Sequence, residues 1–314
     1  MSTALLDRRL LFVTGKGGVG KSTVASSLAI LAASRGKRTL VCEVDAKGNL
    51  ADFYGTNRLR FDPTQVQERL FAMSMDTEAS LREYLKLQLH VPLVGRIGPL
   101  AKAFDFVATA APGVKEILTV GKLAYEVRER HYDLVVVDAS ASGHVVGQLA
   151  ASDAIRELVS VGVVRAQTEW MTELLTDAAT TGVVIVATPE EMPVNETLEL
   201  IDRVDTETGI DIAAVIANRV LPELFNRDEE ADFERLDTPE GRAALVGATN
   251  DGAVHVIDGA RLAVDLRRSR AEHLDRLAAG LPNGMPLILV PYLFTRSHGI
   301  RTTRQVAQRL GEEL

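Results

Sequence analysis

The stretch from Val13 to Thr23, "VTGKGGVGKST", constrains the fold more than any other part of the chain. Gly15, Gly20, Lys21 and Ser22 stand at the spacing G-x-x-x-x-G-K-[ST]. Glycines at that spacing let backbone N–H groups turn inward around phosphate oxygens. A lysine and a hydroxyl then follow, within reach of the phosphates and of a divalent cation. The alternative, a glycine-rich turn with no ligand, is tested by what flanks the loop. "RLLFVTG" is a continuous apolar run ending on glycine, as a buried strand would be. "KSTVASSLAILAASRG" reads as a helix with Val24, Leu28, Leu31 and Ala32 on one face and Gly36 as its stop. "RTLVCEVD" is the next strand, which completes a strand–loop–helix–strand unit.

Further runs of the same kind follow: "LVVVDAS" near Leu134, "GVVIVATPE" near Val184, "IAAVIANRV" near Val215 and "PLILVPY" near Leu289, with "RLFAMSMD" near Ala72 a weaker candidate. Strands apolar on both faces and separated by helices predict an α/β fold, a doubly wound and mainly parallel sheet covered on both sides. Two helical regions interrupt the alternation, at about 78–131 and 222–280, and residues 1–314 are read as a single domain carrying them as insertions.

The net charge of −8 argues against a chain built to coat nucleic acid. A single cysteine, Cys42, excludes a disulfide framework and any multi-thiolate metal site within one chain. The first residues, "MSTALLDRRLLFVTG", have charges before any long apolar run, unlike a secretory leader, and no segment has the ~18 uncharged apolar residues of a membrane span. A cytoplasmic protein with no integral membrane segment is expected.

The loop Gly15, Lys16, Gly17, Gly18, Val19, Gly20, Lys21, Ser22, Thr23 resembles that of the deviant Walker A P-loop ATPases. That group includes the Min and Par proteins, nitrogenase iron protein, and the ArsA arsenite-pump ATPase with its tail-anchored-protein-targeting relatives. The resemblance implies binding of ATP or ADP with Mg2+ and hydrolysis of ATP. It implies that Lys21 contacts the β- and γ-phosphates, that Ser22 ligates the metal, and that Lys16 reaches across a dimer to the partner's nucleotide. A second cation there would offset charge developing in phosphoryl transfer. The alternative for Lys16 is that it points back to its own phosphates.

Within that group the chain is most similar to the ArsA and tail-anchored-targeting branch. "VDASASGHVVGQL" resembles its switch II, which gives Asp138 a metal-supporting role and Gly143 a γ-phosphate-sensing N–H, while His144 is either a coupling residue or a surface histidine. "VDAKGNLADFYG" resembles its switch I, so Asp45 corresponds to the aspartate that positions the attacking water at the metal site, with Asn49 and Leu50 after it. The family's proline after that aspartate is Ala46 here. "TPEEMPVNETLELID" resembles a Pro-Glu segment followed by a Glu-Thr helix, and "VIANRVLP" makes Asn218 the adenine-reading amide. "LVPYLF" resembles the loop that closes over the base, near Pro291, and "PGVKEIL" resembles a Pro-Gly-x-x-Glu helix start.

The departures are equally informative. With Cys42 alone, neither an arsenite site nor a zinc clasp between subunits is expected. The stretches "LKLQLHVPLVG" and "AFDFVATAA" are apolar but lack methionine, and Met73 and Met75 read as core. The tail "RTTRQVAQRLGEEL" offers only Val306, Ala307 and Leu310 as an apolar side and reads as a solvated helix. The basic cluster Arg261, Arg267, Arg268, Arg270 reads as a solvated face. The expectation is a homodimer, or a heterodimer with a paralogue, coupled to a protein partner or hydrophobic cargo. The alternatives are a weakly hydrolysing scaffold subunit and a partitioning ATPase.

Overall fold

The computed structural model describes residues 4–45, 48–89, 114–158, 163–249, 252–295 and 299–314. Its centre is an eight-stranded sheet in the order β3-β4-β2-β5-β1-β6-β7-β8. The strands are β1 (Leu10–Gly15), β2 (Thr39–Glu43), β3 (Thr64–Gln67), β4 (Leu70–Ser74), β5 (Leu134–Asp138), β6 (Thr181–Ala187), β7 (Ile212–Val220) and β8 (Leu287–Pro291). All neighbours pair in parallel except β3 and β4. Every strand expected from an apolar run is present. β3 is the addition: an edge strand with half-exposed to exposed side chains, so it carries no apolar run to announce it.

Side-chain alternation along the strands sorts the core into two layers. Leu11 and Val13 of β1 and Val41 of β2 face α1 (Lys21–Ser34) and α2 (Asn49–Tyr54). Leu10 and Phe12 of β1, with Leu40 and Cys42 of β2, face the opposite layer. That layer is built from α4 (Val114–Arg128), α5 (Ser142–Leu158), α6 (Val163–Thr176) and α7 (Glu191–Thr208). α3 (Thr77–Leu89) precedes α4, and α4 lies on the sheet with Val120, Leu123, Ala124 and Val127 buried. The segments "HVPLVG" and "AFDFVATAA", and Pro112 of the expected helix start, lie outside the described residues. Met73 and Met75 are core, and burial pushes the Cys42 thiol far up.

The last helix, α11 (Ile300–Glu313), corrects the expectation of a solvated helix. Thr302, Thr303, Val306, Ala307 and Leu310 are buried against α1, where the Ser27 hydroxyl donates to the Thr303 carbonyl. Three apolar residues suffice because α1 is itself buried all round, from Val24 to Ala32.

Three helices, α8 (Arg227–Leu236), α9 (Pro239–Ala248) and the 29-residue α10 (Gly252–Gly280), form the second helical region. Phe233 of α8 and Ile257 and Val264 of α10 form a small cluster, against which Leu245 of α9 packs. The basic face of α10 is matched to the acidic run of α8 rather than simply solvated. Arg261 bonds Glu234 and Asp237, Arg268 bonds Glu230 and Glu234, and Arg270 reaches Glu190. Among the described residues, no helix is long and apolar enough to cross a membrane.

Candidate functional site

The carboxyl ends of β1, β2 and β5 converge beside the start of α1. β1 stops at Gly15, where the chain must turn against β6, because a Cβ there would lie 2.2 Å from the Val186 carbonyl oxygen. The turn ends at Gly20, whose φ of +98° and contact with Asn218 both disfavour a side chain. A Cβ added at Gly17 or Gly18 would meet nothing within 4 Å, so the crown of the loop opens outward. α1 then begins with no side-chain cap and no acidic residue in its first turn. Its first-turn N–H groups, which point away from the helix's own carbonyls, and its positive end therefore face the loop, a ready site for an anion.

Asp138 ends β5 directly beside β1 and β2, in register with Val13 and Glu43. It is 6% exposed. Burial is the main cause that pushes its carboxyl from 3.8 up to about 6. The Ser22 hydroxyl and the Lys21 charge pull the other way, and Glu43 and Asp45 add to the rise. Asp45, just beyond β2, accepts the Ser140 hydroxyl at 3.0 Å. Thr14 secures that segment by donating to the Ser140 carbonyl at 2.9 Å. The donor set fits a hard divalent cation, since Ser22, Asp138 and Asp45 supply oxygen and no sulfur. Among the described residues, no three His, Cys, Asp or Glu side chains cluster to form a metal cage. A cation that takes most of its ligands from phosphate and water needs none.

The two loop lysines do different things. Lys21 Nζ donates to the Lys16 carbonyl at 3.3 Å, so it curls back over its own loop. Lys16 Nζ instead meets Glu196 Oε1 of α7 at 2.6 Å. The other oxygen of Glu196 accepts the Ser142 hydroxyl at 3.4 Å, at the start of α5. One carboxylate thus joins the loop to the segment that follows Asp138.

A family model described as anion-transporting ATPase matches residues 8–161 and 150–237. The chain belongs to this ArsA family. It is accordingly an ATPase, hydrolysing ATP to ADP and phosphate. Relatives of this ArsA-family chain agree. ATPase BagA of Mycobacterium tuberculosis is 33% identical over 253 residues, covering 76% of this chain and 74% of the relative. ATPase ASNA1 homolog 1 of Paramecium tetraurelia is 36% identical over 140 residues, covering 43% and 41%. ATPase GET3 of Podospora anserina is 30% identical over 148 residues, covering 46% and 43%.

The fold of this ArsA-type chain brings Lys16, Lys21, Ser22, Asp45 and Asp138 to one edge. Gly143 joins them at the exposed start of α5. His144 is exposed beside it. Asn218 sits in β7 and donates to the Val19 carbonyl at 2.8 Å, so its amide braces the loop from behind. Its oxygen accepts the Arg219 N–H at 3.0 Å. Pro291, at the end of β8, pairs in register with Val220. It leads into Tyr292 and the 75%-exposed Phe294, whose rings meet edge to face at 4.8 Å. Ala46 and the side chain of Asn49 lie outside the described residues.

Sequence reasoning passed over three site residues. Ser140 and Ser142 were legible as hydroxyls in alternate positions of "DASAS", but nothing local says which carboxylate each would meet. Glu43 was visible two residues before Asp45, yet only the structure shows it to be 2% exposed.

Proposed function

We propose that this chain is a Mg2+-dependent ATPase whose nucleotide cycle opens and closes a dimer, coupled to a protein partner or a hydrophobic cargo. The observation that carries the reading is the convergence of Lys21, Ser22 and Asp138 in front of an uncapped helix start. The backbone from Gly15 to Thr23 would wrap the phosphates of ATP, with Lys21 swinging from the Lys16 carbonyl onto the β- and γ-phosphates. Mg2+ held by Ser22 and Asp138, with Asp45 at the same edge, would offset phosphate charge. Asp45 would orient the attacking water, and Gly143 N–H would sense the γ-phosphate. Asn218, from behind the loop, and Pro291 would border the adenine. Residues 1–314 act as one domain in this reading, with the two helical regions as the moving output.

Lys16 is the link between chemistry and dimer. Its ion pair with Glu196 is half exposed, so exchanging it for a phosphate on a second subunit costs little. The Glu196 contact with Ser142 would then pass the change to α5. A complementation experiment tests this directly. Lys16→Ala and Asp45→Asn are each expected to abolish phosphate release. Mixed one to one, they should recover about a quarter of wild-type activity, since half the dimers are mixed and each holds one intact composite site. A mixture as inactive as its parents rules out the cross-subunit role.

A further inference from the structure

We propose that Glu43 is a positioning residue for hydrolysis: by accepting the Gly48 N–H, its carboxylate fixes the far end of the short segment that begins at Asp45. The inference rests on the reading of Asp45 as the group that orients the attacking water.

Glu43 closes β2, a strand buried at every position. Alternation puts it on the same face as Val41, towards α1 and α2, and it is the in-register neighbour of Asp138. An acid there is expensive: a buried carboxylate beside another carboxylate is unfavourable unless strong hydrogen bonds compensate. An apolar residue would serve the strand better. What it could not supply is an acceptor, and Glu43 Oε2 takes the Gly48 N–H at 3.2 Å. Gly48, at φ +77°, precedes α2, and no side chain of its own caps that six-residue helix. α2 is seated in the core through Leu50, Ala51 and Tyr54.

The strand end that carries Glu43 is itself held firmly. Its carbonyl accepts the Met75 N–H at 2.8 Å, and the next N–H, of Val44, donates to the Asp138 carbonyl at 3.2 Å. Glu43 therefore ties Gly48 to a rigid sheet edge. On the other flank, the Ser140 hydroxyl ties Asp45 to the segment after β5. Asp45 is thus held by a side chain that follows β5, and Gly48 by one that ends β2. A proline after Asp45 would stiffen the segment covalently, and the chain has Ala46 there. Displacing a catalytic carboxylate by ~1 Å costs on the order of 100-fold in rate.

The experiment compares the full chain with Glu43→Ala, Glu43→Gln and Asp45→Asn, measuring kcat and KM for ATP by phosphate release. Amide hydrogen exchange across residues 48–54 is followed in parallel. Glu43→Ala should lower kcat by roughly 10- to 100-fold with KM held within about threefold. Its exchange over 48–54 should accelerate. Glu43→Gln keeps an acceptor oxygen and should restore both kcat and protection. If Glu43→Ala does not fold, Glu43→Met, of similar volume and without an acceptor, replaces it. Wild-type kcat in the variant lacking an acceptor overturns the proposal, as does a Glu43→Gln enzyme as impaired as that variant. If Asp45→Asn hydrolyses ATP normally, the reading of Asp45 fails instead, and the exchange data still decide whether Glu43 holds Gly48.

Discussion

Replacing Asp138 by asparagine should stabilise the nucleotide-free protein while destroying its chemistry. The carboxyl titrates near 6 in the fold against 3.8 ordinarily, with burial the largest cause. A folded carboxyl that holds its proton more tightly than the unfolded one contributes stability that is full below about pH 4 and lost as pH rises through 6. The shift, from 3.8 to about 6, corresponds to about 3 kcal/mol of penalty for carrying the charge at pH 7.5. Asparagine keeps the shape and avoids the penalty. Urea unfolding of wild type and Asp138→Asn without nucleotide, at pH 7.5 and pH 4.5, isolates the effect, because titrating groups remote from Asp138 cancel in the difference. The variant should be more stable by about 3 kcal/mol at pH 7.5 and by only about 1 kcal/mol at pH 4.5. Mg2+-dependent phosphate release should collapse in the same variant. A variant no more stable than wild type at pH 7.5, or an equal gain at both pH values, would refute the argument.

Three other perturbations follow from the geometry. Lys122 of α4 is buried between Glu83 and Glu126, each at 2.7 Å, so Lys122→Met should cost about 3–5 kcal/mol by thermal melting. The double variant Lys122→Met/Glu126→Leu should recover most of that loss. Gly20→Ala would place a Cβ 2.4 Å from the Asn218 amide at a φ of +98°. With about 1–3 kcal/mol of strain in the loop, fluorescent-nucleotide titration should show binding roughly tenfold weaker. Leu310→Ala, at a position with 0% exposure between α11 and α1, should lower stability by about 2–5 kcal/mol, whereas a solvated helix would leave the melting temperature unchanged.

Sequence alone determined everything here that depends on local chemistry. Apolar runs marked every strand but β3, because burial on both faces removes polar residues. The edge strand β3, with Thr64 and Gln65 exposed, left no such mark. The glycine-rich loop was legible because its turns demand glycine at Gly15 and Gly20, and its lysine and serine follow at fixed spacing. What only the tertiary structure decided is which distant groups meet. Lys16 pairs with Glu196, 180 residues away, because β1 and β6 are neighbours and both feed helices at one edge. The arginines of α10 answer the carboxylates of α8 only because the two helices fold against each other. Val306, Ala307 and Leu310 look too few to hold a helix until α1 is seen beneath them. Glu43 reads as one more surface acid until β4 and β5 close around it. Burial and charge pairing are properties of the packed neighbourhood, and a neighbourhood assembled from across the chain leaves no periodic trace in any one part of it.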